Sequence, residues 1–157
     1  MAINHSLSAE ERVRALQMTA DALDGIVADA ALRDGDLDEE TKTRLLERRQ
    51  EAADRIDPAF ALDLASRLGE DALRQAVEEN TPPSARASID ALISREGGML
   101  PLVQNEIRRM GSASTTRSSD SFGCALGAVA IVGGVLADKI LGGVAAVAGI
   151  VAMAKWC

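Results

Sequence analysis

The last 36 residues, Phe122 to Cys157, read FGCALGAVAIVGGVLADKILGGVAAVAGIVAMAKWC and contain one acid, two lysines and no Ser or Thr. Such a stretch has to leave water, into lipid or into protein, because each CH2 group taken out of water contributes about 0.8 kcal/mol. Asp138 and Lys139 divide it into two apolar arms, Phe122–Ala137 and Ile140–Ala154. A helix crossing a bilayer needs about 20 apolar residues, so each arm is short for a full crossing. One straight helix through both arms would instead put the charge pair at mid-bilayer, at a cost of at least about 2.5–3.5 kcal/mol per charge. A hairpin that turns at Asp138 and Lys139 returns both charges to water.

Cys124 and Cys157 are the two cysteines of the chain. Antiparallel arms would bring them to the same end, where a disulfide needs Cα atoms about 4.4–6.8 Å apart. In one straight helix they would lie roughly 50 Å apart. The alternative is a pair of unrelated buried thiols. Gly123, Gly127 and Gly134 share a face of the first arm, and Gly142, Ala146 and Gly149 share a face of the second. Small residues at this spacing let helix backbones approach closely enough for dispersion to hold them. The same pattern also serves a small-residue helix pair in a soluble core. Lys155 and Trp156 have the character of an interfacial anchor or of a plain solubilising end.

The remainder of the chain is different in kind. Residues 1–110 carry 14 Lys+Arg against 22 Asp+Glu, a balance of -8, whereas residues 111–157 balance at +1. The acidic front argues against nucleic acid, which requires clustered Lys and Arg to displace counterions. A weakly cationic apolar tail suits a lipid surface. With two Phe, one Trp and no Tyr, a core must be built from Ala, Leu, Val and Ile, which favours helix packing over aromatic-rich sheets. The expected fold is all-α: an N-terminal bundle of short amphipathic helices plus a C-terminal hydrophobic helical hairpin.

Local signals place the front helices. Ser8 and Glu11 form a capping box, followed by a stripe at Val13, Leu16, Ala20, Leu23 and Val27 that is expected to face the core. A second box at Asp36 and Glu39 predicts a helix through Leu45 and Leu46 toward Ile56. Asp57-Pro58 supplies an N-cap and an N1 proline for a helix with Phe60, Leu62, Leu64 and Leu68, stopped by Gly69. Another runs through Leu73 and Val77 to the prolines at 82–83. Ser84 is the expected cap of a helix with Ile89, Leu92 and Ile93, broken at Gly97 and Gly98, and Pro101 opens one with Val103, Ile107 and Met110. Residues 111–121 are rich in Ser and Thr and read as a linker. The expected division is 1–110, an acidic helical leader; 111–121, the linker; and 122–157, the hydrophobic Gly/Ala-rich hairpin.

Enzymatic readings find little support. His5, the single histidine, stands near the N-terminus without metal-ligand companions, and the cysteines lack metal-binding spacing. GAVAIVGG has no following Lys-Ser/Thr for a phosphate loop. No catalytic, cofactor-binding or metal residues are expected. No secretory signal opens the chain, so export would require a dedicated machine.

An acidic helical leader, a break and a Gly/Ala/Val-rich C-terminal core resemble the precursors of bacteriocins, ribosomally made antimicrobial peptides. Arg95-Glu96-Gly97-Gly98 is similar to the double-glycine processing site of such leaders, with Leu92 at the upstream apolar position. Arg95 departs from the pattern by standing where an apolar residue is usual. The resemblance implies a chain made in the bacterial cytoplasm, cut by a processing protease or exporter, whose C-terminal part is secreted or inserted into a membrane. Ser121 and Cys124 also have the Ser-x-x-Cys spacing of a thioether modification, with an unmodified linker as the alternative. The functional expectation is a membrane-active peptide or toxin precursor, with a lipid membrane as partner and homo-oligomers as a further state. The alternatives are a tail-anchored helical interaction protein and a self-assembling structural protein with a buried apolar tail.

Overall fold

The computed structural model describes the backbone of residues 7–33, 35–112, 119–136 and 139–157, with side chains at 7–33, 35–110, 123–136 and 142–157. Among the described residues the chain forms seven α-helices and no strand: α1 (Ala9–Arg33), α2 (Glu39–Arg55), α3 (Pro58–Asn80), α4 (Arg86–Glu96), α5 (Met99–Ser112), α6 (Ser119–Leu136) and α7 (Lys139–Trp156), with a 3-10 turn at Pro83–Ala85. The all-α expectation is borne out. His5 lies outside the described residues, as do residues 113–118 of the expected linker, whose two ends belong to α5 and α6.

Caps explain most of the boundaries. The Glu11 amide donates to Ser8 Oγ at 3.1 Å while the Ser8 amide donates to Glu11 Oε1 at 3.0 Å, the reciprocal pairing that satisfies two orphan donors of a helix start. The start of α2 corrects the sequence reading. Its N-cap is Asp38, which accepts from the Thr41 amide at 2.7 Å, not Asp36, and this places Glu39 and Glu40 in the first turn where the helix dipole favours acids. Asp57 caps α3 through the amides of Ala59 and Phe60, ahead of Pro58.

Gly69 divides α3 into two helical arms, as the sequence leads one to expect. Its φ of 81° and ψ of 173° are non-helical, and the second arm begins at Glu70. That break aims Glu70 at the start of α5, where its carboxylate accepts from the amides of Met99 and Leu100 at 2.8 and 2.9 Å. Glu70, 29 residues away from Met99, thus does the work expected of a local cap, and α5 begins two residues before Pro101. Ser84 does not cap α4: it lies inside the 3-10 turn, and α4 starts without a side-chain cap.

The core has an unusual centre. The described side chains of α6 are buried continuously from Gly123 to Gly134, and α6 is packed by α1, α3, α5 and α7. One apolar cluster runs from Leu7 through Leu64, Leu73, Ile89 and Ile107 to Leu126, Ile131 and Met153. Side chains of the size of Leu126 and Ile131, both fully buried, each contribute about 1.5–3 kcal/mol on leaving water.

Helix α1 turns its back on the sequence expectation. Val13 is 65% exposed, Leu16 42% and Val27 68%, with Ala20 exposed and Leu23 half-buried. The buried face is instead Ala15, Met18, Thr19, Asp21, Ala22, Gly25, Ile26, Ala28 and Asp29. Close approach decides the orientation. A methyl at Gly25 would stand 2.8 Å from a terminal carbon of Leu126, and the Thr19 side chain lies directly over Gly133 of α6. A larger side chain on that face would hold the two helices apart, so size outranks hydrophobicity.

Candidate functional site

The feature that the sequence singles out is the apolar pair α6 and α7. They run in opposite directions against each other, backbone to backbone. A methyl at Gly127 would stand 2.8 Å from the Gly149 carbonyl oxygen, and one at Gly149 2.5 Å from that of Gly127. Further along, a methyl at Gly134 would lie 2.9 Å from both the Gly142 carbonyl oxygen and the Ala146 amide nitrogen. Only glycine fits such gaps, and dispersion between the two backbones replaces side-chain packing. The structure therefore brings together Gly127, Gly134, Gly142, Ala146 and Gly149. Gly123 lies at the end of the pair, between Trp156 of α7 and the carboxylate of Asp29 on α1, whose Oδ2 would be 2.7 Å from an added methyl.

At that same end Cys124 and Cys157 are joined as a disulfide, with Cα atoms 5.1 Å apart. Cys124 is buried and Cys157 exposed. With its sulfur bonded to Cys157, Cys124 has none left for a thioether to Ser121 in this state. Ser121 belongs to the backbone of α6, and its side chain lies outside the described residues. The expected turn falls there too: Asp138 is outside the described residues, and Lys139 is the first residue of α7, its side chain not described.

The double glycine occupies the α4–α5 junction. Gly97 ends α4 in the left-handed conformation, φ 86°, a common helix stop. Gly98 is buried, and a methyl there would be 2.8 Å from Glu70 Oε1. The bond after it leads into Met99, whose amide is held by Glu70. Burial pushes the Glu70 carboxyl up, but the amides of Leu100 and Met99, with Arg74, outweigh it and hold it below its ordinary value. Cutting after Gly98 requires this junction to open.

No family model, curated protein or solved structure matches this chain. Its own residues must supply the functional argument.

A cluster that sequence reasoning missed binds the closed end of the pair to the front helices. Asp29 is buried completely and accepts from Arg49 Nη1 at 2.7 Å and Arg33 Nε at 2.9 Å. The Arg33 guanidinium also lies over the Trp156 ring, 4.5 Å from its centroid, where the ring's negative face attracts it. Asp29 follows Gly25 by four residues and Ala22 by seven. That small-residue stripe marks the face in the sequence without saying that it turns inward.

Other surfaces offer less chemistry. An open groove of about 440 Å³ beside α3 and α4 is lined by Arg74, Glu78, Arg86 and Asp90, two charges of each sign. Among the described residues, no three His, Cys, Asp or Glu side chains are grouped to hold a metal. Among them also, no helix is long and apolar enough to cross a membrane.

Proposed function

We propose that this chain is the precursor of a membrane-active antimicrobial peptide or toxin, in which residues 122–157 form the effector hairpin and residues 1–110 keep it covered. One observation carries the proposal. The two most water-averse helices are closed on each other by glycine contacts and a disulfide, while acidic, amphipathic helices cover α6 and the inner side of α7 and leave Val144 and Val147 of α7 exposed. The closest contacts of the pair, and its disulfide, are made between its own two helices, which suits an element that leaves its cover as a unit. The apolar spans of α6 and α7, Phe122–Leu136 and Ile140–Ala154, are each about 22 Å long, well under the hydrocarbon thickness of about 30 Å. The pair therefore suits a thinned or disturbed bilayer better than an undisturbed one.

The proposed division is the acidic leader 1–110, the Ser/Thr-rich linker 111–121 and the hairpin. Release follows cleavage by a protease or exporter in the linker or, once the α4–α5 junction opens, after Gly98. The producing cell is bacterial, and the mature part acts outside its cytoplasm.

Dye leakage from lipid vesicles tests this. The oxidised 112–157 segment is expected to release dye at concentrations where the intact chain does not. If the segment releases none at concentrations where known pore formers do, the effector proposal is lost.

A second proposal, a self-assembling protein, is favoured by the outward apolar residues Val13, Leu16 and Val27 on α1 and Val144 and Val147 on α7. Large soluble oligomers of the unprocessed chain would support it.

A further inference from the structure

We infer that Asp29, with Arg33 and Arg49, is a latch that holds the disulfide end of the apolar pair inside its cover, and that release begins at this end. The inference rests on the proposal that the pair is the effector, and it adds how the covered state is held.

Most of the contact between cover and pair is apolar and non-directional. The disulfide end is different. There Asp29 of α1 is gripped from two sides, by Arg33 one turn further along α1 and by Arg49 of α2. The carboxylate rests against Gly123, the residue before Cys124, and Arg33 stacks on Trp156, the residue before Cys157. Two covering helices and both helices of the pair thus meet at one charge cluster. The disulfide is part of the device, because it holds the Trp156 ring beside Gly123, where Arg33 can reach it.

Neutralising the carboxylate weakens both hydrogen bonds by which Asp29 ties α2, through Arg49, and the Arg33–Trp156 stack to α1, since charge-assisted hydrogen bonds are the stronger ones. The disulfide end then opens, whereas the far end, closed by Gly134 against Gly142 and Ala146, keeps its contacts.

The test uses the full-length oxidised chain, comparing wild type with Asp29→Asn, Arg33→Lys and a control, Leu73→Ala, a fully buried leucine of α3 outside the cluster. Arg33→Lys keeps the charge but loses the planar stack on Trp156, so it remains informative if Asp29→Asn does not fold. Hydrogen exchange is expected to rise about tenfold at residues 123–126 and 152–156 in the latch variants and less than about twofold in α3 and α5. Trp156, the single tryptophan, should shift its emission to the red. Uncleaved latch variants should also release dye from phosphatidylcholine–phosphatidylglycerol vesicles faster than Leu73→Ala of matched stability.

Exchange that rises evenly over all helices, or variants that leak no faster than the control while the oxidised 112–157 segment does leak, would overturn the latch and leave an ordinary buried ion cluster. Local opening without leakage, from these variants and from the oxidised 112–157 segment alike, would uphold the latch and sink the membrane function. The two failures are therefore distinguishable.

Discussion

The glycines of α7 show how one residue type carries opposite meanings on one helix. Gly149 faces the backbone of Gly127, and an added methyl would lie 2.5 Å from that carbonyl oxygen and 2.8 Å from an Ile131 side-chain carbon. Gly143 opens onto empty space, with nothing within 4 Å of an added methyl. The same substitution should therefore change sign. Gly149→Ala is expected to cost about 1–3 kcal/mol by forcing the pair apart. Gly143→Ala should stabilise by up to about 1 kcal/mol, because alanine restricts the unfolded chain and favours the helix. Urea denaturation of the two variants decides it, and equal shifts of the same sign would mean that the pair is not packed through its glycines. Spacing along the chain already sets Gly149 on one face with Gly142 and Ala146 and leaves Gly143 off it. How closely α6 approaches that face is seen only in three dimensions.

Helix α1 shows where periodicity misleads. Its stripe at Val13, Leu16, Ala20, Leu23 and Val27 follows a regular three- and four-residue step, and that spacing correctly identifies a helix. It does not say which side faces inward. Two candidate faces exist, one larger and more apolar, the other small with two buried acids, Asp21 and Asp29, and the close passage of α6 selects the small one. On this basis Leu16→Gln and Val27→Thr should each change stability by less than about 0.5 kcal/mol, as exposed substitutions do. Ile26→Ala on the buried face should cost about 2–5 kcal/mol. Chemical denaturation of the three variants checks the assignment. A large loss for Val27→Thr in a monomeric sample would reverse it.

At the scale of the molecule, acid acts on the joints between covering helices. Glu11 of α1 accepts from Arg67 of α3 at 2.8 Å, and this bond, with the Ser8 amide, lowers its carboxyl from 4.5 to about 2. Glu70, linking α3 to α5, and Asp38, bonded by Thr41, are lowered as well. Groups whose folded values are depressed stabilise the fold fully above their unfolded values and lose that contribution as pH falls through the folded ones. Thermal stability should thus decline from pH 4.5 toward about 2. Glu11→Gln should be less stable than wild type at neutral pH and show a shallower decline, and parallel pH profiles for the two proteins would contradict the assignment. The sequence by itself determined the all-helical class, two of the front caps at Ser8 and Asp57, the separation of an acidic front from an apolar end, and the glycines and cysteines that act together in α6 and α7. Those features are local: capping, spacing and composition act over a few residues and can be read along the chain. Only the tertiary structure decided that α6 lies at the centre of the bundle, that α1 buries its small face, that Glu70 caps a helix 29 residues away, and that Asp29 meets the disulfide end. Each of these depends on how closely two distant backbones approach, and that distance is set by packing in space, which no spacing along the chain encodes.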